Sequence, residues 1–116
     1  MSERSGLTRV AYFVLRESGG DAPLPEIADA WRNTADAPPT VEQAVPALAA
    51  ALAALAAEGL VEVRRFATWP QAWSGGAPVA GEGLCAEAAA VGTWLPGPAR
   101  TGLMVARITD SGKARL

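Results

Sequence analysis

Hydrophobic residues recur at intervals of three and four along the N-terminal half of the chain, the spacing that places side chains on one side of a helix. This pattern predicts a first helix from about Leu7 to Glu17. Ser18-Gly19-Gly20 ends it, because glycine can take the left-handed conformation of a helix cap. A short extended link from Asp21 to Pro25 leads to the next element.

The second predicted helix has the sequence PEIADAWR, residues 25–32, and places Ile27, Ala30 and Trp31 on one side. Pro25 suits the first turn of a helix, where its missing N–H is not needed. The following segment is a loop, because the Pro38-Pro39 pair disfavours helical backbone there.

The third predicted helix has two possible starts. Thr40 with Gln43 matches a capping box, which places the start directly after Thr40. That start leaves Pro46 inside the helix, at a cost of about 3 kcal/mol or a kink. We therefore favour one short turn at Val41–Ala44 and a main helix at Pro46–Glu58. Leucines spaced by four and three residues form its apolar stripe: Leu48, Leu52 and Leu55.

Alternating apolar and polar residues predict two strands in the C-terminal half, at residues 60–66 and at Gly102–Ile108. Gly59 ends the third helix before the first of them. Thr109 and Asp110 can cap a last helical turn at Ser111–Leu116. A two-stranded ribbon is marginal alone, so we expect it to pack beside the three helices.

The segment between these strands, residues 67–101, is too long for a structureless loop, so we expect partial order in it. It is rich in glycine and proline, contains Trp69, Trp73 and Trp94, and offers a helical candidate around Leu84–Ala90.

Composition limits the possible functions. The 116 residues suffice for one domain, and we treat 1–116 as a single unit. Ten basic and twelve acidic residues give a net charge of −2, which is unfavourable for DNA binding through phosphate neutralisation, although a local patch can suffice. The single cysteine, Cys85, excludes an intrachain disulfide and favours a cytoplasmic location. No apolar run reaches the roughly 20 residues of a membrane span, so we expect no membrane partner.

Three segments resemble the winged-helix regulators of the multiple-antibiotic-resistance and PadR-like families. Residues 23–28 (PLPEIA) are similar to the start of their second helix, residues 52–61 (LAALAAEGLV) to their helix-to-wing segment, and residues 108–114 (ITDSGKA) to the start of their closing helix. The resemblance implies an α+β winged-helix fold, with a three-helix core, a two-stranded β-wing and an unusually long wing insert at 67–101.

The resemblance also implies that the third helix would enter the major groove of DNA. It would present the following residues to the bases: Pro46, Ala47, Ala49, Ala50, Ala53 and Ala54. None of them can form a side-chain hydrogen bond, which direct base recognition requires. Arg64 and Arg65 could contact phosphate from the wing, and Arg9 and Arg32 could add backbone contacts. Alternatively, these arginines are ordinary solvated charges.

An alanine-rich helix face has two other uses. Small side chains let a partner helix approach closely at little cost in rotamer entropy. The alternative is that the insert folds back over this face. Tryptophan is enriched at interface hot spots, but the insert tryptophans could equally anchor their own loop. The candidate protein interface comprises Ala47, Ala50, Ala53, Ala54, Trp69, Trp73 and Trp94.

The sequence does not favour an enzyme, a metal site or a bound cofactor. It contains no histidine, and Cys85 has no second cysteine, so a Cys–His nucleophile is ruled out and a usual zinc site is disfavoured. Our first hypothesis is a non-catalytic module for protein–protein interaction or self-association. The alternative is a DNA-binding transcription regulator that uses the wing arginines.

Overall fold

The computed structural model describes residues 8–95 and 103–116. This part of the chain forms five helices and an antiparallel sheet of four strands. The elements are α1 (Arg9–Glu17), β1 (Ala22–Pro23), α2 (Leu24–Arg32), α3 (Val41–Ala57), β2 (Val61–Phe66), β3 (Ala77–Pro78), α4 (Gly81–Ala89), β4 (Leu103–Ile108) and α5 (Asp110–Lys113).

The first helix begins after Thr8, whose hydroxyl accepts a hydrogen bond from the backbone N–H of Ala11 at 3.1 Å. The predicted start at Leu7 lies outside the described residues. A 3₁₀ turn at Ser18–Gly20 follows α1, and the left-handed residue is Asp21, with φ 54°. The prediction that a glycine takes this conformation is therefore wrong. Aspartate tolerates it better than most residues do.

The second helix starts one residue earlier than predicted, so Pro25 occupies its second position. Ile27 is fully buried, whereas Ala30 and Trp31 are only half-buried. Trp31 packs on Phe13 of α1, with the ring centroids 5.1 Å apart.

The third helix is continuous from Val41 to Ala57, so our preference for a break before Pro46 is wrong. Both hydrogen bonds of the capping box are present, between the Thr40 hydroxyl and the Gln43 N–H and between the Gln43 side chain and the Thr40 N–H. Pro46 lies on the exposed side, where water can hydrate the Glu42 carbonyl that lacks an N–H partner.

The turn from α3 into the sheet depends on Gly59, which has φ 75°. The N–H of Leu60 donates to the Leu55 carbonyl at 2.9 Å and that of Gly59 to the Ala56 carbonyl at 3.0 Å. These two bonds form a Schellman motif, which needs a left-handed residue at the glycine position. The predicted helix-to-strand junction is thus present in the structure.

The sheet has the order β1-β4-β2-β3, with every neighbouring pair antiparallel. β2 and β4 pair along their full length, from Val61 opposite Ile108 to Phe66 opposite Leu103. The expectation of only two strands is corrected, because the two-residue strands β1 and β3 pair at the edges. Such short pairings leave no periodic pattern in the sequence.

Alternation along β2 and β4 gives the sheet two different faces. The inner face packs against the helices and carries Val61 and Val63 of β2 with Met104, Ala106 and Ile108 of β4, all in one core with the buried leucines of α3. Leu84, Ala88 and Trp94 of the predicted insert belong to the same core. The insert is therefore partly built into the domain.

The insert is more ordered than its composition suggests. Its helix, α4, begins three residues before the predicted Leu84, and a 3₁₀ turn follows at Val91–Trp94. The Trp69–Pro70 peptide bond is cis. The last predicted residues of the insert, 96–101, lie outside the described residues. No helix in the described part of the chain has the length and apolar character needed to cross a membrane.

Candidate functional site

The helix α3 presents an exposed surface of alanine to solvent. Ala47, Ala50 and Ala54, hereafter the alanine face, are all exposed, while Ala53 beside them is half-buried. The leucine stripe of the same helix points into the core, where its three side chains are at most 1% exposed. The amphipathic division of α3 is therefore between leucine and alanine, not between leucine and polar residues.

The chemistry of the alanine face is limited to packing. The sequence of α3, VEQAVPALAAALAALAA, contains no basic residue, and its only charged residue is Glu42 in the first turn. Methyl groups can contact another apolar surface closely, but they neither donate nor accept hydrogen bonds.

The insert covers one side of α3 and leaves the alanine face open. Helix α4 packs against α3 through the shared core that includes Leu84 and Ala88. Trp94 is fully buried, and its indole Nε1–H donates to the Ala88 carbonyl at 2.8 Å. The expectation that Trp94 lies in a surface interface is therefore corrected, because this ring fills the core and its polar group is satisfied internally.

The other two insert tryptophans lie on the outer face of the sheet, away from the helices. Their segment, residues 67–76, folds over this face, and we call it the strap. Trp69 and Trp73 are half-buried and pack on Phe66, at ring-centroid distances of 4.8 and 5.5 Å. The sheet thus separates both rings from the alanine face, so the predicted interface does not form one continuous surface.

Arg64 and Arg65, the wing arginines of the DNA-binding alternative, point to opposite faces of β2 and are engaged within the chain. Arg64 donates from Nε to Glu62 Oε2 at 2.8 Å and from Nη1 to the Trp73 carbonyl at 2.9 Å. Arg65 forms an ion pair with Glu87 of α4, with Nη2 3.0 Å from Oε2. Adjacent arginines therefore connect β2 to the strap on one side and to α4 on the other.

The remaining two candidate arginines lie on the first two helices. Arg32 donates from Nε to the Pro39 carbonyl at 2.6 Å and lies 3.7 Å from an Asp29 oxygen. Arg9 is exposed in the first turn of α1 and forms no ion pair within the described part of the chain. Within the described residues, neither of these two arginines shares a hydrogen-bond or ion-pair partner with Arg64 or Arg65.

Asp21 and Arg107 form a contact that sequence reasoning missed. Nε and Nη2 of Arg107 donate to Oδ1 and Oδ2 of Asp21, both at 2.7 Å. The hydrogen bonds from Arg107 lower the pKa of Asp21 below its usual value, against the opposing effect of burial. The two residues are 86 positions apart and meet because β1 pairs with β4. No local motif marks such a pair.

The polar groups of the described residues are internally satisfied. None of their buried side-chain nitrogen or oxygen atoms lacks a hydrogen-bond partner. Within 8–95 and 103–116 there is no group of three or more His, Cys, Asp or Glu side chains that could hold a metal ion. Comparisons with protein-family models, with curated proteins and with solved structures found no match to this chain.

Proposed function

We propose that this chain is a non-catalytic winged-helix module that binds a protein partner, or a second copy of itself, through the alanine face of α3. The observation that carries this proposal is the contrast on α3: its leucines are buried, and its opposite side is solvent-exposed alanine. A surface of this kind offers contact area with little loss of rotamer entropy.

The winged-helix part of the proposal is supported by the order of the elements. Helix α1 leads through β1 to the helices α2 and α3, and Gly59 then turns the chain into the β2–β4 pair. β1 pairs with the far side of β4, so the first strand lies beside the last. The order of helices and main strands supports the winged-helix interpretation, whereas the β1–β4 pairing is an addition to it.

The choice of protein over DNA rests on charge. Of the eight basic residues that the structure describes, five form ion pairs with carboxylates of the same chain: Arg32, Arg64, Arg65, Arg107 and Arg115. Phosphate binding draws on unneutralised lysine and arginine, and base recognition needs polar side chains on the presented helix. Arg64 and Arg65 of the proposed wing are already paired with carboxylates, and the exposed alanine face of α3 has no polar side chain.

The edges of the sheet argue against partner binding by strand addition. Each outer strand has only two residues and contains a proline, Pro23 in β1 and Pro78 in β3. Proline cannot donate to a ladder, and short edge strands offer few free groups. A helix surface is then the better candidate for the interface.

The proposal is tested by placing an arginine in the alanine face. In Ala50→Arg the long charged side chain prevents close approach of a partner helix, and Ala86→Arg is the matched control because Ala86 is exposed on α4. We expect Ala50→Arg to reduce the solution mass measured by light scattering if the chain self-associates. If the chain is monomeric, we expect Ala50→Arg to abolish binding of a partner that wild type and Ala86→Arg both retain.

Two results would overturn the proposal. One is that Ala50→Arg changes neither the solution mass nor the capture of any partner. The other is binding of random duplex DNA that weakens steeply between about 50 and 200 mM salt and is lost in the Arg64→Ala, Arg65→Ala double variant, which would establish the DNA-binding alternative.

A further inference from the structure

The strap covers a second apolar cluster that is separate from the helical core. Phe66 and Val105 are both fully buried, yet they lie on the outer face of the sheet and are not members of the core that includes the helices. Gly76 approaches this cluster so closely that a Cβ there would lie 2.5 Å from Phe66 Cζ. The strap therefore covers Phe66, and its Trp73 ring contacts Arg64 and Arg107, the residues next to Val105 on this face.

The strap is attached at few points. Seven of its ten residues are exposed, and the exceptions are Trp69, Trp73 and Gly76. The Trp73 ring lies beneath two guanidinium groups, with its centroid 5.1 Å from Arg64 Cζ and 4.3 Å from Arg107 Cζ. Segments with many exposed residues and few buried contacts open at lower free energy than the core does.

The two guanidinium groups next to the Trp73 ring are each paired with a carboxylate outside the strap. Glu62 binds Arg64, and Asp21 binds Arg107 through both oxygens. Neither ion pair involves a strap residue, so both guanidinium groups would keep a carboxylate partner if the strap left the sheet.

We propose that residues 67–76 act as a cover that opens as a local unit, exposing Phe66 and Val105 while the helices and the β2–β4 pair stay folded. The open form presents an apolar surface on the side of the molecule opposite the alanine face.

Native-state proteolysis with chymotrypsin tests the proposal. The enzyme must take the Trp73 ring into its own pocket to cleave before Ser74, so cleavage there requires the strap to leave Phe66. When opening is fast relative to cleavage, the rate follows the population of the open form. We expect cleavage at Trp73 in the folded protein, with a dependence on urea less than half that of global unfolding, because local opening exposes little surface.

Adjacent arginines provide matched variants. Arg64→Met removes the hydrogen bond to the Trp73 carbonyl and one cation–π contact, so cleavage at Trp73 should accelerate about tenfold. Arg65→Met removes the Glu87 pair on the opposite face and should change this rate by less than about twofold, since exposed ion pairs contribute little.

The proposal is overturned if cleavage at Trp73 shows the same urea dependence as global unfolding, or if Arg64→Met and Arg65→Met accelerate it equally. Each of these outcomes would mean that the strap opens only with the whole domain.

Discussion

At the scale of the residue, close packing around Gly112 leaves no room for a side chain. Gly112 is buried in α5, and a Cβ there would overlap the Leu60 carbonyl and lie 2.7 Å from Ile108 Cγ1 and 3.1 Å from Leu15 Cδ1. Glycine is required because α5 lies directly against the turn that joins α3 to β2.

Gly112→Ala should therefore destabilise the domain by about 1–3 kcal/mol, because the backbone carbonyl of Leu60 must shift to admit the methyl group. The matched control is Gly83→Ala in α4, where no atom lies within 4 Å of the added Cβ. That change should be neutral or stabilise by up to about 1 kcal/mol. Urea unfolding measures both, and equal midpoints for the two variants would contradict the packing described.

Asp21 combines a left-handed backbone with a bidentate ion pair, and the two roles can be separated. Asp21→Asn keeps a residue that tolerates positive φ but removes the charge that binds Arg107. The folded-state pKa of Asp21 is lowered, so its stabilising contribution is present above the unfolded pKa of about 3.9 and is lost as the pH falls through the folded value.

We expect Asp21→Asn to unfold at lower urea than wild type from pH 7 to about pH 5. The difference should shrink once the pH falls below the unfolded pKa of about 3.9 and disappear below the lowered folded pKa. Asp36→Asn, an exposed loop substitution, should show no such difference at any pH. A gap between Asp21→Asn and wild type that persists unchanged at the acidic end would show that the charge is not responsible.

At the scale of the element, sequence patterns located most of the long elements and missed those defined by pairing. The helical periodicity gave α1 and α2, and alternation gave β2 and β4, each to within two residues. The strands β1 and β3 have only two residues each and depend on neighbours distant in the chain. The same limit applies to the candidate site, since the sequence grouped Trp94 with Trp69 and Trp73 although a sheet separates them.

The start of α3 differs from the predicted one because the capping box outweighs the cost of an internal proline. Pro46 is the sixth helical residue and lies on the exposed side, so the free Glu42 carbonyl stays hydrated instead of being buried without a partner. A capping box with both hydrogen bonds formed then suffices to extend the helix to Thr40.

Two substitutions distinguish a helix that begins after Thr40 from one that begins at Pro46. Thr40→Ala should destabilise by about 1 kcal/mol through loss of the cap, and Pro46→Ala should stabilise by about 1–3 kcal/mol by restoring a helical hydrogen bond. A helix that began at Pro46 would show a neutral Thr40→Ala and no gain from Pro46→Ala. The control Pro38→Ala, in the loop, should be near neutral or slightly destabilising.

At the scale of the whole molecule, the long segment between β2 and β4 performs two structural roles. Its first part, the strap, covers the outer face of the sheet with tryptophan rings. Its second part, α4 with the turn that ends at Trp94, completes the core on the inner face. The two parts are attached to neighbouring residues of β2, the first by Arg64 and the second by Arg65.

These roles predict opposite thermodynamic behaviour for the two parts. The strap should open locally, whereas α4 should unfold only with the rest of the domain, because Leu84 is as deeply buried as Leu48 of α3, at 1% and 0% exposure. Leu84→Ala and Leu48→Ala should each destabilise by about 2–5 kcal/mol, with unchanged urea dependence and coincident transitions by tryptophan fluorescence and far-UV circular dichroism. If Leu84→Ala does not fold, the smaller truncation Leu84→Val can be measured in its place. If Leu84→Ala shifted the fluorescence transition and left the dichroism midpoint in place, α4 would be an independent appendage, and the alanine face would be flanked by a mobile helix instead of a fixed one.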